Sequence, residues 1–171
     1  RFLPGLRFGR RRRTMRPRCS RSANAPTGSL RNTAFPIAAL PPTPIEAIRD
    51  LLAGNDAWIA EVNGVPAGFA IAGRAAGQYW LRELAVDPAL GRRGIGTAIL
   101  ATVLDSVRST DSGAVFLSTF RDVPFNRPFY ERRGFAVVEP ESAAPELRRQ
   151  FLSEVPPGID PDTRVLMVWR P

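Results

Sequence analysis

The chain has 171 residues, enough for one domain with a hydrophobic core and hardly enough for two. All 24 of its basic residues are arginine and it has no histidine, which excludes a His general base, a Ser-His-Asp triad, a Lys Schiff base and a His-bearing metal site. Its only cysteine, Cys19, excludes an internal disulfide or a cysteine metal cluster, and points to a reducing, cytoplasmic setting.

Charge is distributed unevenly along the chain. Residues 1–31 carry ten arginines and no acid, while residues 32–171 carry fourteen arginines against 16 acids, so the net +8 divides into +10 and −2. The first segment, rich in Arg, Ser, Pro and Gly, reads as a disordered extension outside the fold. Its lack of acids equally suits an organelle transit peptide or sequence lying ahead of a start at Met15. The run Arg10–Arg13 could grip nucleic acid or an anionic membrane surface, but the −2 charge of residues 32–171 and their lack of interleaved basic and aromatic residues rank nucleic acid last. No apolar run is long enough for a membrane span, so no membrane partner is expected.

From residue 32 onward, helix and strand patterns alternate. Thr43-Pro44-Ile45-Glu46 forms a capping box, and Ile45, Ile48, Leu51 and Leu52 line one face of a helix that Gly54 stops. Strands follow at 57–62 and 65–72, joined by Asn63-Gly64, a strong hairpin signal. A strand at 79–86 leads to a helix over 93–109, striped by Ile95, Ile99, Leu100, Val103, Leu104 and Val107, which buries itself on the sheet. Further elements are a strand at 114–120, a short helix at 125–132, a strand at 135–139, a helix near 145–152 and a closing strand at 164–169.

The junction of the 79–86 strand with the next helix carries the strongest signal. Leu84-Ala85-Val86 runs through Gly91-Arg92-Arg93-Gly94-Ile95-Gly96-Thr97 into the helix. First-turn N–H groups have no intrahelical acceptor, and glycines let a pyrophosphate approach the backbone at the positive end of the helix dipole. The spacing lacks the third glycine and later acid of a dinucleotide fingerprint, and no Gly-Lys-Ser/Thr is present for a nucleotide P-loop.

The same segment resembles the acetyl-CoA motif of the GNAT N-acetyltransferase superfamily. A second block, Asn126-Arg127-Pro128-Phe129-Tyr130-Glu131-Arg132-Arg133-Gly134-Phe135, resembles that family's downstream "N...FY...GF" signature. The resemblance implies an α/β (α+β type) fold: a mixed, mostly antiparallel sheet flanked by helices and splayed near its middle, with a strand-turn-helix CoA site. It covers roughly residues 44–169, although the family's first strand and helix have no clear counterpart in residues 1–40. The domain is therefore expected to span 32–171.

The implied activity is direct transfer of an acetyl group from acetyl-CoA to a primary amine in a ternary complex, without a metal. The pantetheine arm would pair with Leu84, Ala85 and Val86, and the pyrophosphate would sit on the N–H groups of Arg92, Arg93, Gly94, Ile95, Gly96 and Thr97. Asn126 would hold the cofactor, or simply cap the next helix. Tyr130, loaded with its proton at neutral pH, is the candidate general acid, its alternative being a core aromatic. Glu83 is the candidate base, its alternative an ion pair with Arg82 or Arg121, and Asp122 is a weaker contender.

Trp80, Phe120, Arg121 and Phe125 are expected to border the acceptor cleft, with Trp58 and Trp169 in the sheet or core. The acceptor stays open among small amines, polyamines and peptide or protein amines, as does a homodimer through a terminal strand. A non-catalytic CoA-binding sensor is the alternative function.

Overall fold

A computed structural model of the protein describes residues 5–11, 45–108 and 113–171. Seven strands, β1 (Leu6–Arg11), β2 (Asp56–Val62), β3 (Val65–Ala75), β4 (Gln78–Val86), β5 (Val115–Phe120), β6 (Ala136–Val138) and β7 (Arg164–Trp169), form one sheet in the order β1-β2-β3-β4-β5-β7-β6. Four helices accompany it: α1 (Ile45–Gly54), α2 (Ile95–Arg108), α3 (Arg127–Glu131) and α4 (Pro145–Ser153). Every neighbouring pair is antiparallel except β4–β5. The mixed, mostly antiparallel sheet that the family resemblance implies is therefore the one observed.

The turns have a local origin. Asn63 (φ 54°) and Gly64 (φ 80°) both adopt the left-handed region that a two-residue hairpin turn matching strand twist requires. Ala76 and Gly77 repeat this conformation between β3 and β4.

Alternation along the strands divides the apolar residues between two faces. Leu81, Val115, Leu117, Val165, Met167 and Trp169 join Trp58 and Ala70 beneath the α2 stripe of Ile95, Ile99, Leu100, Val103, Leu104 and Val107. Trp80, Phe116, Leu166 and Val168 face the opposite way and pack on Phe151 of α4. Trp58 and Trp169 are core residues, as expected, but so is Trp80, which is fully buried and stacked on Phe116 at 5.7 Å. Trp80 therefore does not border a cleft: the period of the strand turns it into the second core.

Two further expectations change. The composition of residues 1–31 left them out of the fold, yet Leu6–Arg11 form a strand paired along β2, from Leu6–Val62 to Arg11–Ala57. Leu6 packs on the main core and β2 supplies the free edge, a tertiary contribution that an arginine-rich composition conceals. The boundary at residue 31, Cys19 and the Thr43-Pro44 cap lie outside the described residues. The stripe of α1 is also less covered than its pattern implies, with Ile45 and Leu52 exposed among the described residues.

Gly68 brings α2 onto the sheet. A Cβ there would lie 2.7 Å from Ala85 O, 3.0 Å from Ile99 Cδ1 and 3.2 Å from Val86 Cα. Gly68→Ala should therefore destabilise the protein by about 1–3 kcal/mol through overpacking. Gly9→Ala, where a Cβ meets nothing within 4 Å, should stay within about 0.5 kcal/mol. Thermal and urea melts of the two variants test this difference.

Candidate active site

The site begins where β4 and β5 part. Their parallel ladder holds only Tyr79–Val115 and Trp80–Phe116. Just beyond, β4 carries a bulge against β3: Ala72 pairs with Leu81 and Ile71 with Glu83, leaving Arg82 as the extra residue. A bulge bends its strand and raises local twist, which turns the end of β4 away from β5. Asp87 N donates to Ala67 O on β3 at 2.9 Å. By the period of two, the Ala85 peptide groups also face β3, and those of Leu84 and Val86 face the edge that β5 has left.

Beyond Val86, a turn of 3₁₀ helix over Pro88–Leu90 is capped by Asp87, whose Oδ1 accepts from Ala89 N at 2.8 Å. Arg92 (φ 59°) and Gly94 (φ 83°) then take left-handed conformations on either side of Arg93. Alternation of this kind gathers successive N–H groups into a concave anion nest. Ala98 N donates to Gly94 O at 3.0 Å, so the N–H groups of Ile95, Gly96 and Thr97 precede the first helical bond and remain available. The sequence-predicted residues Arg92, Arg93, Gly94, Ile95, Gly96 and Thr97 thus make up the turn and first helical residues that follow the open edge of β4.

From the other side, α3 meets this turn. Asn126 begins α3 through its carbonyl, which accepts from Phe129 N at 2.9 Å and Tyr130 N at 3.2 Å, while its side chain makes no cap hydrogen bond. The capping alternative for that side chain is not what is observed. Phe129 lies 3.7 Å from the place a Cβ on Gly96 would take.

Arg133, absent from the sequence-predicted site, locks α3 to the α2 N-terminus. Its Nη1 donates to Phe129 O at 2.6 Å, its Nη2 donates to the Thr97 hydroxyl, and its guanidinium sits 3.7 Å over the Phe129 ring. Burial, with Arg132 beside it, lowers its pKa from the usual arginine range. Arg133 follows the end of α3, where a basic side chain can bond the last turn's carbonyls, and that position is the signal that marks it.

Tyr130 packs edge-on against Phe129 at 5.0 Å and Phe135 at 5.5 Å. Burial, and then the nearby Glu83 charge, push its phenol above the ordinary tyrosine value. Glu83 and Tyr130, 47 residues apart in sequence, therefore lie within electrostatic reach of each other across the sheet gap. Burial also raises the Glu83 carboxyl above the ordinary glutamate value, opposed by a backbone hydrogen bond at Leu84 and by the Arg164 charge.

The ion-pair alternative for Glu83 goes elsewhere. Arg82 Nε stands 2.7 Å from Glu154 Oε1, which also accepts from Gln150 Nε2 at 2.6 Å. Arg121 donates from Nε to Asp162 O at 3.1 Å and from Nη2 to Arg164 O at 3.4 Å. Asp122 and Phe125 are exposed, and Phe120 lies under the Arg164 guanidinium at 4.7 Å.

Residues 27–135 match the model of the acetyltransferase (GNAT) family, and the chain belongs to that family. It is 29% identical over 91 residues to the uncharacterized N-acetyltransferase YafP of Escherichia coli (strain K12), a match covering 53% of each chain. The chain thus spans about half the length of the curated relative it matches.

Among solved structures, it resembles a GNAT family acetyltransferase from Elizabethkingia anophelis with acetyl-CoA bound (TM-score 0.64, 14% identity, 99% of this chain and 100% of that one). It also resembles the ribosomal-protein-S18-alanine N-acetyltransferase of Escherichia coli (TM-score 0.58, 18% identity, 75% of this chain and 77% of that one). At these identities, the likeness concerns the fold.

Because folding raises the Glu83 pKa above the ordinary glutamate value, the folded chain holds this proton to higher pH than the unfolded one. Stability should therefore fall as pH rises from about 4.5 through the folded value, and Glu83→Gln should remove this component of the slope. Arg164→Met should move the carboxyl higher still, since Arg164 opposes the shift. Carboxyl-carbon NMR titration, paired with urea melts across pH, measures both effects.

Proposed function

We propose that this protein is an N-acetyltransferase that moves an acetyl group from acetyl-CoA to a primary amine by direct transfer in a ternary complex. One observation carries the reading: the edge of β4 that β5 leaves unpaired leads, through the Pro88–Leu90 turn and the left-handed residues Arg92 and Gly94, to the N-terminus of α2, with Glu83 just past the last β4–β5 pair and Tyr130 within its electrostatic reach.

These features fit acetyl-CoA on physical grounds. An extended amide-bearing arm can add to the edge of β4 through the peptide groups of Leu84 and Val86 with Ala85 between them, as a peptide adds to a sheet. The nest of Arg92, Arg93 and Gly94, continued by the N–H groups of Ile95, Gly96 and Thr97, suits a pyrophosphate at a helix dipole's positive end. Arg133 adds fixed positive charge at the same turn, and the uncapped Asn126 side chain offers both a donor and an acceptor.

Acetyl-CoA supplies an activated thioester, whose C–S bond breaks as the amine nitrogen forms the new C–N bond. The amine must lose a proton and the departing sulfur must gain one. Glu83, with its raised pKa, takes the amine's proton directly or through water, and Tyr130 gives its proton to the sulfur. Burial holds Tyr130 protonated throughout the neutral range, so the acid is always loaded. The chain offers no histidine for the base, and direct transfer requires no covalent enzyme intermediate.

Calorimetry with acetyl-CoA, alongside thiol release on a panel of amines, tests the reading. Tyr130→Phe should lower kcat by about 10²- to 10⁴-fold with cofactor affinity retained. Glu83→Gln should lower kcat/KM and abolish an acid limb lying above the ordinary glutamate range. Gly94→Val, which places a branched side chain at positive φ, should weaken cofactor binding by at least about tenfold, or about 1.4 kcal/mol. A folded chain that binds no CoA would overturn the assignment, whereas binding with unaltered behaviour in the Tyr130 and Glu83 variants would favour a sensor.

A further inference from the structure

On the α4 face, a cavity of about 360 Å³ lies between the end of β5, the start of β7 and α4. Its charged lining comprises Arg121, Arg148 and Arg164 with Glu139, Glu141 and Asp162. Among the described residues none of these six forms an ion pair within 4.0 Å, so three positive and three negative groups share one cavity without neutralising each other. They are also sorted by depth. Glu139, Glu141, Arg148 and Asp162 are exposed, whereas Arg121 and Arg164 are half-buried, which makes the inner end cationic.

Arg164 connects this cavity to the reacting groups. Its Nε donates to Ser118 Oγ and its Nη2 to Ser118 O, each at 2.9 Å, while its guanidinium lies over Phe120. Among the described residues its Nη1 meets no acceptor. Both Glu83 and Tyr130 feel its charge. Burial lowers the Arg164 pKa, opposed by the charges of Glu154, Glu83 and Tyr130.

The cofactor surface of α2 and α3 lies on the opposite face of the sheet, so an acceptor in this cavity would reach the thioester through the gap between β4 and β5. Resting on the acetyltransferase reading, we propose that the acceptor is a small amine bearing a carboxylate next to its amino group, an α-amino acid. Arg164, assisted by Arg121, is the specificity-determining residue that binds that carboxylate. The carboxylate takes the free Nη1 of Arg164, which turns the adjacent amino group toward Glu83. A polyamine would bring its cations against Arg164 and Arg121, and a peptide N-terminus would present a neutral carbonyl where the site offers charge. The cavity volume, at the low end of small-molecule sites, suits an amino acid.

The test uses the full chain, acetyl-CoA and matched sets of acceptors: several α-amino acids, their carboxamides, the corresponding decarboxylated amines, short peptides and spermidine. Thiol release is followed, and CoA binding is measured separately. The amino acids should exceed their carboxamides in kcat/KM by at least about 30-fold, the scale of a charge-assisted contact. Arg164→Met should bring the ratio of amino-acid to carboxamide kcat/KM down toward one, with CoA affinity unchanged; the shift it causes at Glu83 acts on both acceptors alike and cancels in that ratio. Arg121→Gln, whose loss frees only two backbone carbonyls, should reduce the same preference and provides the test if Arg164→Met does not fold.

Carboxamides, peptides or spermidine used as well as the amino acids would overturn this acceptor class and leave the acetyltransferase reading standing. An equal loss on acids and carboxamides in both variants would overturn the role of the two arginines. CoA binding without turnover of any acceptor would overturn the acetyltransferase reading and this inference with it.

Discussion

The parting of β4 from β5 is the constraint on which the rest of this structure depends. A sheet normally satisfies each interior strand on both edges, and an unpaired backbone edge in a packed protein has a cost. Here the ladder stops after Trp80–Phe116, and the extra residue Arg82 bends β4 away. One divergence has three consequences. It opens the Leu84 and Val86 peptide groups, leaves Glu83 within electrostatic reach of Tyr130 on α3 and of Arg164 on β7, and offers a passage between the two faces of the sheet. The fold tolerates the gap because both faces are covered across it, by α2 over a core that joins Leu81 to Val115 and by α4 over one that joins Trp80 to Phe116.

A chain without lysine or histidine must perform its cationic roles with arginine, and the structure shows arginines held as fixed forks. Arg133 is pinned by Thr97 and Phe129, Arg164 by Ser118, and Arg121 by the carbonyls of Asp162 and Arg164. The planar guanidinium suits this use, because two or three of its donors can fix its position while another stays free for a ligand. The same composition leaves proton removal to carboxylates. Burial of Glu83 is what brings a carboxyl toward the range in which it serves as a base.

Much of this architecture was legible in local sequence because its signals are local. The Asn63-Gly64 turn needs two positive φ values, the α2 stripe follows the helical period, and the glycines around Arg93 mark a turn that side chains resist. Trp80 was misread because strand period alone does not tell which of two buried faces a residue joins. β1 was hidden because its pairing depends on the β2 edge almost fifty residues away. Arg133 escaped notice because its role arises from contact with Thr97, on a different helix.

The sequence by itself determined the family, the order of strands and helices from residue 45 onward, and the chemical types available for a site. The family likeness is carried by the two motif blocks around Gly94 and Tyr130, whereas the order of elements and the side-chain chemistry on offer follow from backbone propensity, apolar period and composition, each set within a few neighbouring residues. Only the tertiary structure decided that Glu83 stands free of Arg82 and Arg121, that Arg82 turns instead to Glu154, and that Arg164 comes from the last strand to sit near both Glu83 and Tyr130. Those relations depend on which face each strand presents and on a bulge that shifts register by one residue. Charge pairing between distant segments is settled by geometry and desolvation, which local sequence does not encode.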